Sequence, residues 1–293
     1  MPSLKAIRNR IKSVKNTQKI TRAMKLVAAA KLKRAQDAVV ASRPYAVRLR
    51  AVVASLAGSV DPEQYPLFRT TATPKRCLLI PMTSDRGLAG AFNSSILRRT
   101  EAFLRDAKDS YEEIGVAPIG RKGREYFRRR GTPTYTELRD LMSGPNRGSA
   151  EAVAAELTRL FTSGEVDEVY LVFNEFKSAL TQTVIVEPLL PLSAEKLAAG
   201  DAAEAASTEI KYEPNREELL AKLLPRFVQT NVLRALLESQ ASELGARMTA
   251  MDNASKNAAE IIGTMTLQMN RARQAIITTE LMEITSGAES LKG

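Results

Sequence analysis

Apolar residues recur at intervals of three and four along the first 58 residues, and this periodicity is the strongest constraint on the fold. They form three runs: Leu4, Ile7, Ile11 and Val14, then Ile20, Met24 and Val27, and later Leu32, Ala35 and Val39. The spacing predicts one apolar stripe on a long α-helix that begins at Ser3, a suitable N-cap, and ends before Asp61-Pro62. At 1.5 Å per residue this helix is about 80 Å long, so it needs a partner along its length.

A second long helical pattern begins at Asn215 and runs to about residue 287. Its apolar positions include Leu220, Leu224, Phe227, Leu236, Leu244, Met251, Ala258, Ile261, Met265, Met269, Ala272 and Ile276. No other part of the chain provides a stripe long enough to cover the first helix. We therefore expect residues 1–58 and 215–287 to pair as an antiparallel coiled coil, with the methionines as ordinary packing residues.

Between the two helices, residues 74–214 have the pattern of a globular domain. Apolar runs predict strands at 76–82, 114–119, 169–173 and 183–186, and helical patterns lie at 94–107, 123–130 and 150–161. Strands that alternate with helices are typical of parallel sheets, whereas the short connection before residue 183 predicts a hairpin. The expected fold class is therefore α/β: a long antiparallel coiled coil of the N- and C-terminal helices, with an inserted Rossmann-like α/β domain containing a mixed sheet.

The residue types that are missing from the chain exclude several classes of catalytic chemistry. The chain has no histidine and one cysteine, Cys77. Without histidine there is no Ser-His-Asp or Cys-His nucleophile, no histidine general base and no His-ligated zinc. Cys77 begins an apolar run, so we expect a buried hydrophobic residue there, and a single cysteine allows no disulfide within the chain. No pattern of carboxylates singles out an acid and a base, and we expect no catalytic residue, metal or cofactor.

The positive charge of the chain is concentrated at its N-terminus. The net charge is +10, and eleven Lys and Arg residues precede the first acidic residue, Asp37. The apolar stripe argues against a cleaved transit peptide, and no segment reaches the roughly 18 uncharged apolar residues that would span a bilayer. Two interpretations remain. Either the basic helix binds nucleic acid through its phosphates, or it lies among acidic protein surfaces.

Two further segments carry polar chemistry. The loop 83–93 follows the first strand, where a dinucleotide-binding fold holds phosphate, but it has neither G-x-G-x-x-G nor the Lys-Ser/Thr of a Walker A loop. We expect a tight turn whose exposed backbone and Arg86 contact another protein. Arg121-Lys122 and Arg128-Arg129-Arg130 form a second basic cluster, which is either a phosphate patch or, as we prefer, the solvated face of a short helix.

Several segments match one known family. The longest are residues 7–31, IRNRIKSVKNTQKITRAMKLVAAAK, and residues 270–288, NRARQAIITTELMEITSGA; shorter matches lie at 84–88, 212–214 and 246–251. Together these segments, which are spread over the whole chain, resemble the gamma subunit family of F-type ATP synthases.

The resemblance implies a rotor shaft that has no catalytic residues of its own. In this family the paired helices stand inside a hexamer of alternating alpha and beta subunits, one gamma per alpha3beta3. The α/β domain lies on the membrane-embedded c-ring, with the epsilon subunit alongside. Proton flow turns ring and shaft together, and ATP is made on the beta subunits. The resemblance further implies no cofactor, no nucleic-acid partner, and membrane association through the c-ring only, on the cytoplasmic face of a bacterial inner membrane or the matrix side of an organelle.

The resemblance implies contacts with partner subunits for nine residues, from their positions in the matched motifs. They are Arg273, Gln274, Thr278 and Glu280 for the beta catch loops, Met24 and Arg247 for the lower hexamer, Tyr212 and Glu213 for the c-ring loops at the foot, and Arg86 for epsilon or beta. Ile20 is assigned to the coiled-coil seam, where an aspartate would be a buried, unpaired charge.

Two alternatives stay open at this point. A basic coiled-coil protein that binds nucleic acid, or serves as an adaptor, would use the same N-terminal helix and would bind polyanions with a steep salt dependence. A nucleotide-binding enzyme built on the α/β insert is the weaker of the two, because the loop 83–93 lacks the phosphate-binding motifs.

Overall fold

The computed structural model describes residues 3–58, 61, 64–132, 134–135, 141–142, 144–193, 197 and 215–290, with side chains up to residue 287. Contacts divide the chain into two compact units. The terminal unit consists of Met1–Ala28 and Met248–Gly293, and the central unit consists of Ala29–Arg247. The domain limits expected from the sequence, 1–58, 74–214 and 215–287, stay a prediction.

The helices and strands follow the pattern of the sequence. In chain order they are α1 (Leu4–Ala57), β1 (Arg76–Pro81), α2 (Phe92–Asp106), β2 (Glu113–Val116), α3 (Arg121–Arg130), α4 (Arg147–Thr162), β3 (Glu168–Phe176), β4 (Gln182–Leu190) and α5 (Arg216–Ser290). The N-cap at Ser3 is confirmed, because its Oγ accepts a hydrogen bond from the Ala6 N–H at 3.2 Å. Asn215 caps α5 in the same way, through the Glu218 N–H at 2.7 Å.

In the terminal unit, the inward positions of α1 recur with a strict seven-residue period. They are Leu4, Ile7, Ile11, Val14, Gln18, Thr21, Lys25 and Ala28, and all are buried or half-buried. The corresponding positions of α5 are Met248, Met251, Ser255, Ala258, Ile262, Met265, Met269 and Ala272. Lys25 contacts Asp252, whereas Gln18 contacts Ser255 further along α5, so the helices run in opposite directions. The expected antiparallel coiled coil is confirmed.

The prediction that Ile20 lies in this seam is wrong. Ile20 is 59% exposed and Val27 is 56% exposed, and on α5 Ile261 and Ile276 are 46% and 43% exposed. A seven-residue period that includes Ile11 continues through positions 18, 21 and 25, and these positions hold polar side chains. Gln18 and Lys25 find partners on α5, and the Thr21 hydroxyl donates to the Gln18 carbonyl oxygen within α1. The seam therefore accepts these polar side chains, and the apolar residues in between face outward.

In the central unit, four strands form an open mixed sheet in the order β2-β1-β3-β4. β1 is parallel to β2 and β3, whereas β4 returns antiparallel to β3 through a short turn. The sheet and the flanking helices confirm the expected Rossmann-like α/β fold. The second strand is shorter than predicted: it ends at Val116, and Ile119 keeps one isolated bridge to Met82.

The sheet separates two apolar cores, because successive side chains of a strand point to opposite faces. Leu78 and Ile80 of β1 belong to one core, which also holds α4 and the parts of α1 and α5 that belong to the central unit. Cys77 and Leu79 belong to the other core, under α2 and α3. As expected from the sequence, Cys77 is fully buried, and burial raises the pKa of its thiol to about 12.

Candidate partner-contact surfaces

The loop between β1 and α2 has a buried base and an exposed tip. Ser84 is buried; its backbone N–H donates to Asn93 Oδ1 at 2.9 Å, and its hydroxyl donates to the carbonyl oxygen of Arg86 at 2.5 Å. Arg86, Gly87 and Leu88 are exposed at the tip. Leu88 has a φ of 65°, a left-handed conformation that is uncommon for a residue with a side chain, and it is 65% exposed. The loop therefore projects a fixed shape from the central unit.

Contacts with the start of α3 hold this loop in place. The Arg121 backbone N–H donates to Asp85 Oδ1 at 2.9 Å, and Arg121 Nε donates to the Asp85 carbonyl oxygen at 3.1 Å. Gly120 has a φ of +89°, and a Cβ at this position would lie 1.9 Å from the carbonyl oxygen of Thr83. Only glycine permits this close approach of the two segments.

Arg247 of α5 contacts the carbonyl side of the same loop. Its guanidinium pairs with Glu243 Oε1 at 2.6 Å and donates to the carbonyl oxygens of Gly87 at 3.2 Å and Arg86 at 3.5 Å. The two charged side chains are only 15% and 10% exposed, and burial raises the pKa of Glu243 above its ordinary value although Arg247 opposes the shift. The structure thus brings together two residues that the sequence analysis chose separately, Arg86 and Arg247.

Sequence reasoning missed Glu243, which orients Arg247. The spacing of four residues between the two was a usable signal, because side chains four apart lie side by side on a helix. The loop's geometry also weakens the nucleotide-binding interpretation. Carbonyl oxygens of Arg86 and Gly87 are turned toward a guanidinium, whereas a phosphate is held by N–H donors.

The second basic cluster is partly compensated by two acidic side chains, one on α2 and one on α3. Arg130 pairs with Glu101 at 3.1 Å, and its guanidinium lies 4.0 Å from the ring centroid of Tyr126. Arg121 and Lys122 both lie near Glu125, at 3.7 Å and 3.5 Å. Such pairing is what a solvated helix face makes, and it leaves less free charge for a polyanion than the sequence indicates.

The last turns of α5, in the terminal unit, present a fully exposed surface. Every side chain from 273 to 287 is exposed, including the four residues assigned to the beta catch loops, Arg273, Gln274, Thr278 and Glu280. The Thr278 hydroxyl donates a hydrogen bond to the Gln274 carbonyl oxygen at 2.9 Å. Arg273 and Glu280 form no ion pair with any described residue, so both charges are available to a partner. Positions 273, 277 and 280 share one helix face, and 274, 278 and 281 lie beside them.

This surface also carries large apolar side chains. Between residues 276 and 284 the exposed fractions are 43% to 68%, for Ile276, Ile277, Leu281, Met282 and Ile284. Scattered exposed apolar residues are normal on a protein surface, but five within nine residues of one helix form a patch typical of an interaction site.

The remaining residues assigned to partners have different settings. Met24 is half-buried beside the seam of the terminal unit. Tyr212 and Glu213 lie outside the described residues. Across the described part of the chain, no three Asp, Glu or Cys side chains are grouped so that they could hold a metal ion. None of the described helices combines the length and the hydrophobicity needed to cross a membrane.

Comparison with known proteins gives a consistent picture over the full length. A family model described as ATP synthase matches residues 3–291. The chain is 52% identical over 295 positions to the ATP synthase gamma chain of Anaeromyxobacter sp. (strain Fw109-5), and the alignment covers all of both chains. The gamma chain of Sorangium cellulosum (strain So ce56) is 47% identical over 323 positions, again with complete coverage of both.

Two solved structures of ATP synthases also contain chains that resemble this one. One is a chain of the central stalk and c-ring of the Tetrahymena thermophila mitochondrial ATP synthase. It has a TM-score of 0.60 and 32% identity, and the match covers 80% of this chain and 99% of that one. A chain of the rotor of the Euglena gracilis mitochondrial ATP synthase, in rotational state 1, has a TM-score of 0.67 over 94% and 98% of the two chains. At 19% identity, this second match supports the fold alone.

Proposed function

The chain belongs to the ATP synthase gamma chain family, and we propose that it is the non-catalytic central-stalk rotor, which carries rotation of the c-ring to the alpha3beta3 hexamer. The exposed, mixed apolar and charged surface of α5 from 273 to 287 is the observation that carries this proposal. In this function the chemistry of ATP takes place on the beta subunits. The alternative of a nucleic-acid-binding or adaptor protein finds no support among the relatives.

A rotor of this kind acts by making different contacts with identical partners. One asymmetric shaft faces three beta subunits, so each rotation step gives each of them a different neighbour. A partner shifts a conformational equilibrium only by its differential affinity for the states, which is the coupling free energy of allostery. The chain therefore needs an asymmetric surface and a connection that does not yield when it turns.

The end of α5 provides the asymmetric surface. Arg273 and Gln274 begin a face that continues to Thr278 and Glu280, next to the apolar side chains of the same turns. A charged residue of each sign beside apolar residues discriminates between beta conformations that present different loops. We assign this face to the beta catch loops.

The loop at Arg86 is the corresponding surface of the central unit. Arg247 is occupied by Glu243 and by loop carbonyls, so its contribution to hexamer contact is to fix the loop, while Arg86 and Leu88 supply the exposed groups. We assign this tip to a contact with beta or epsilon. Met24 stays assigned to the lower hexamer, and Tyr212 and Glu213 to the c-ring loops at the foot.

The partners and the location follow from the same assignment. We propose one copy of this chain per alpha3beta3, with epsilon and the c-ring as further partners. The chain is then peripheral to the membrane and attached through the c-ring, on the cytoplasmic face of a bacterial inner membrane or the matrix side of an organelle.

Native mass spectrometry tests the assembly. The chain carries a terminal tag and is purified gently from its own membranes. One copy with three copies each of two larger subunits, together with ATPase activity, is the expected result. Recovery of the chain alone, or with nucleic acid, would contradict the rotor assignment.

The residue assignment is tested by Arg273→Glu in membrane vesicles. Reversing this exposed charge should weaken the contact with the beta catch loops by about fivefold or more, the lower range of typical allosteric affinity changes, and should therefore lower proton pumping per ATP hydrolysed. The chain itself stays folded, because Arg273 makes no buried contact. Lys33→Glu, an equally exposed charge in the central unit, is the matched control and should leave coupling unchanged. Unchanged coupling in Arg273→Glu would count against the catch-loop contact.

A further inference from the structure

The seam of the terminal unit changes character along α1. Leu4, Ile7, Ile11 and Val14 fill the first turns, but the next inward positions are Gln18, Thr21 and Lys25. Thr21 is only 8% exposed, whereas the neighbouring Ile20 is 59% exposed. Over these two turns, the helix places polar side chains inward and apolar ones outward.

Lys25 and Gln18 have partners on α5, whereas the Thr21 hydroxyl donates to the Gln18 carbonyl oxygen of its own helix at 3.1 Å. Lys25 Nζ lies 2.6 Å from Asp252 Oδ1, and Asp252 Oδ2 lies 3.0 Å from Lys256 Nζ. Gln18 Nε2 donates to the Ser255 carbonyl oxygen at 3.4 Å. The Lys25 and Asp252 side chains are 40% and 29% exposed, so water screens their attraction only in part. We call Gln18, Thr21, Lys25, Asp252 and Ser255 the polar layer.

The central core, which holds the later part of α1 and the earlier part of α5, sets the register of the two helices in the central unit. Within the terminal unit, the apolar seam by itself does not select one axial register. Apolar contact is non-directional, and a shift of seven residues returns one apolar stripe opposite the other. The polar layer does distinguish the registers. A shift of seven residues along α5 would bring Lys25 opposite Ala259 or Gly245 in place of Asp252, and neither has a carboxylate.

We propose that the polar layer keeps α1 and α5 in axial register within the terminal unit, and that Lys25 and Asp252 are positioning residues for the contact face at 273–280. The proposal deepens the rotor function and rests on it. A shift of one heptad moves this face by about 10 Å along the helix axis, at 1.5 Å per residue. A displacement of that size would remove the face from its place against beta.

The chain offers a chemically matched control for this pair. Lys33 and Asp37 also form a lysine–aspartate pair, at 2.9 Å, but both belong to α1 and are 75% and 61% exposed. Their contact links residues four apart on one helix, so it carries no information on register.

The first experiment measures the register directly in the full-length chain. Spin labels at Arg10 and Gln268, both exposed residues of the terminal unit, report the distance between α1 and α5 by electron double resonance. Wild type and Lys25→Arg should give one narrow distance distribution. Lys25→Glu should add a second population, because two carboxylates would then face each other. Lys33→Glu should resemble wild type. A single unchanged distribution in Lys25→Glu would overturn the proposal.

Reversing all three charges of the ion pairs distinguishes a loss of register from a general loss of stability. Lys25→Glu, Asp252→Lys and Lys256→Glu together restore all of the attractions with opposite signs, and should restore the single distribution. In the assembled complex the same variants are compared by proton pumping per ATP hydrolysed. Lys25→Glu should lose about fivefold or more, and the triple variant should recover. Failure of the triple variant to recover, in either measurement, overturns the proposal.

The two measurements also distinguish this proposal from the proposed function. If the wild-type chain assembles with no ATPase subunits, the rotor assignment fails, yet the distance measurement on the chain still decides the register. If the complex assembles and couples normally in Lys25→Glu, the rotor assignment stands and the positioning role is wrong.

Discussion

The two units of this chain differ in the side chains that fill their interiors. Phe127, Phe161 and Phe173 of the central unit are at most 1% exposed, and two apolar cores cover both faces of its sheet. The most buried residues of the terminal unit are Ala28, Met251 and Ala258, at 2% to 5%. Burial of large aromatic side chains stabilises the central unit by itself, whereas the narrow seam between two helices, which has no aromatic residue and includes small and polar ones, contributes less. The terminal unit therefore depends on each layer of its seam and on its partners.

Phe173→Ala should give the largest loss of stability, and this loss should be restricted to the central unit. Removing a fully buried ring from the sheet core costs about 3–5 kcal/mol of unfolding free energy, through lost transfer and a cavity. Urea unfolding of the full chain, followed by tyrosine fluorescence, measures it. Leu180→Ala, at a residue that is 79% exposed in the turn after β3, should change stability by less than about 0.5 kcal/mol. Equal effects of the two variants would refute this account of the core.

Ile11→Asp and Ile20→Asp test which isoleucine of α1 lies in the seam. Ile11 is 7% exposed in the seam, so an aspartate there buries an unpaired charge and should cost about 2–4 kcal/mol of local stability. Ile20 is 59% exposed, and its aspartate variant should stay within about 0.5 kcal/mol of wild type. Hydrogen exchange of residues 4–28 measures both. A stronger loss of protection in Ile20→Asp than in Ile11→Asp would show that Ile20 lies in the seam.

Two carboxyl groups, Asp252 of the terminal unit and Glu238 of the central unit, should contribute to stability with opposite pH dependence. Lys25 and Lys256 lower the pKa of Asp252 below its ordinary 3.8, so its contribution to the terminal unit is present above that pH and is lost as the pH falls through the lower native value. Burial raises the pKa of Glu238 in the central unit above its ordinary 4.5, against the opposing effect of Arg234. The native state then favours the protonated form, and this contribution is lost as the pH rises through the higher native value.

Spin-label distances for the terminal unit and tyrosine fluorescence for the central unit, from about pH 2 to about pH 7, measure these trends. Asp252→Asn should remove the loss of pairing at acid pH, and Glu238→Gln should flatten the dependence of the central unit. One Glu238 oxygen has no hydrogen-bond partner among the described residues, so the amide should be tolerated. If acid loosens both units alike, the two carboxyl groups are not the source.

Reaction of Cys77 with a thiol reagent should give the smallest effect of these tests. Its burial and its pKa of about 12 leave almost no thiolate at neutral pH, so a thiol reagent should not react with the folded chain. Reaction should appear only when urea unfolds the central unit. Prompt labelling of the native chain would show that the core under α2 and α3 opens readily.

Much of the fold was predictable because its signals are local. The three-and-four spacing, the caps at Ser3 and Asn215 and the apolar strand runs each depend on residues within a few turns of one another. The exposed contact face at 273–280 was predictable only through motif resemblance, because nothing in its spacing distinguishes a partner surface from a continuing seam.

The sequence by itself determined that two long helices flank an α/β domain, and it placed the excess positive charge on the first of them. Only the tertiary structure decided which face of α1 turns inward. Ile11 is compatible with two apolar stripes, and the inward one is selected by contacts with α5, such as that of Lys25 with Asp252, 227 residues further along the chain. The tertiary structure likewise decided that Arg247 contacts the loop at Arg86. Both contacts join residues distant in sequence, and their free energy exists only once the chain has brought those residues together.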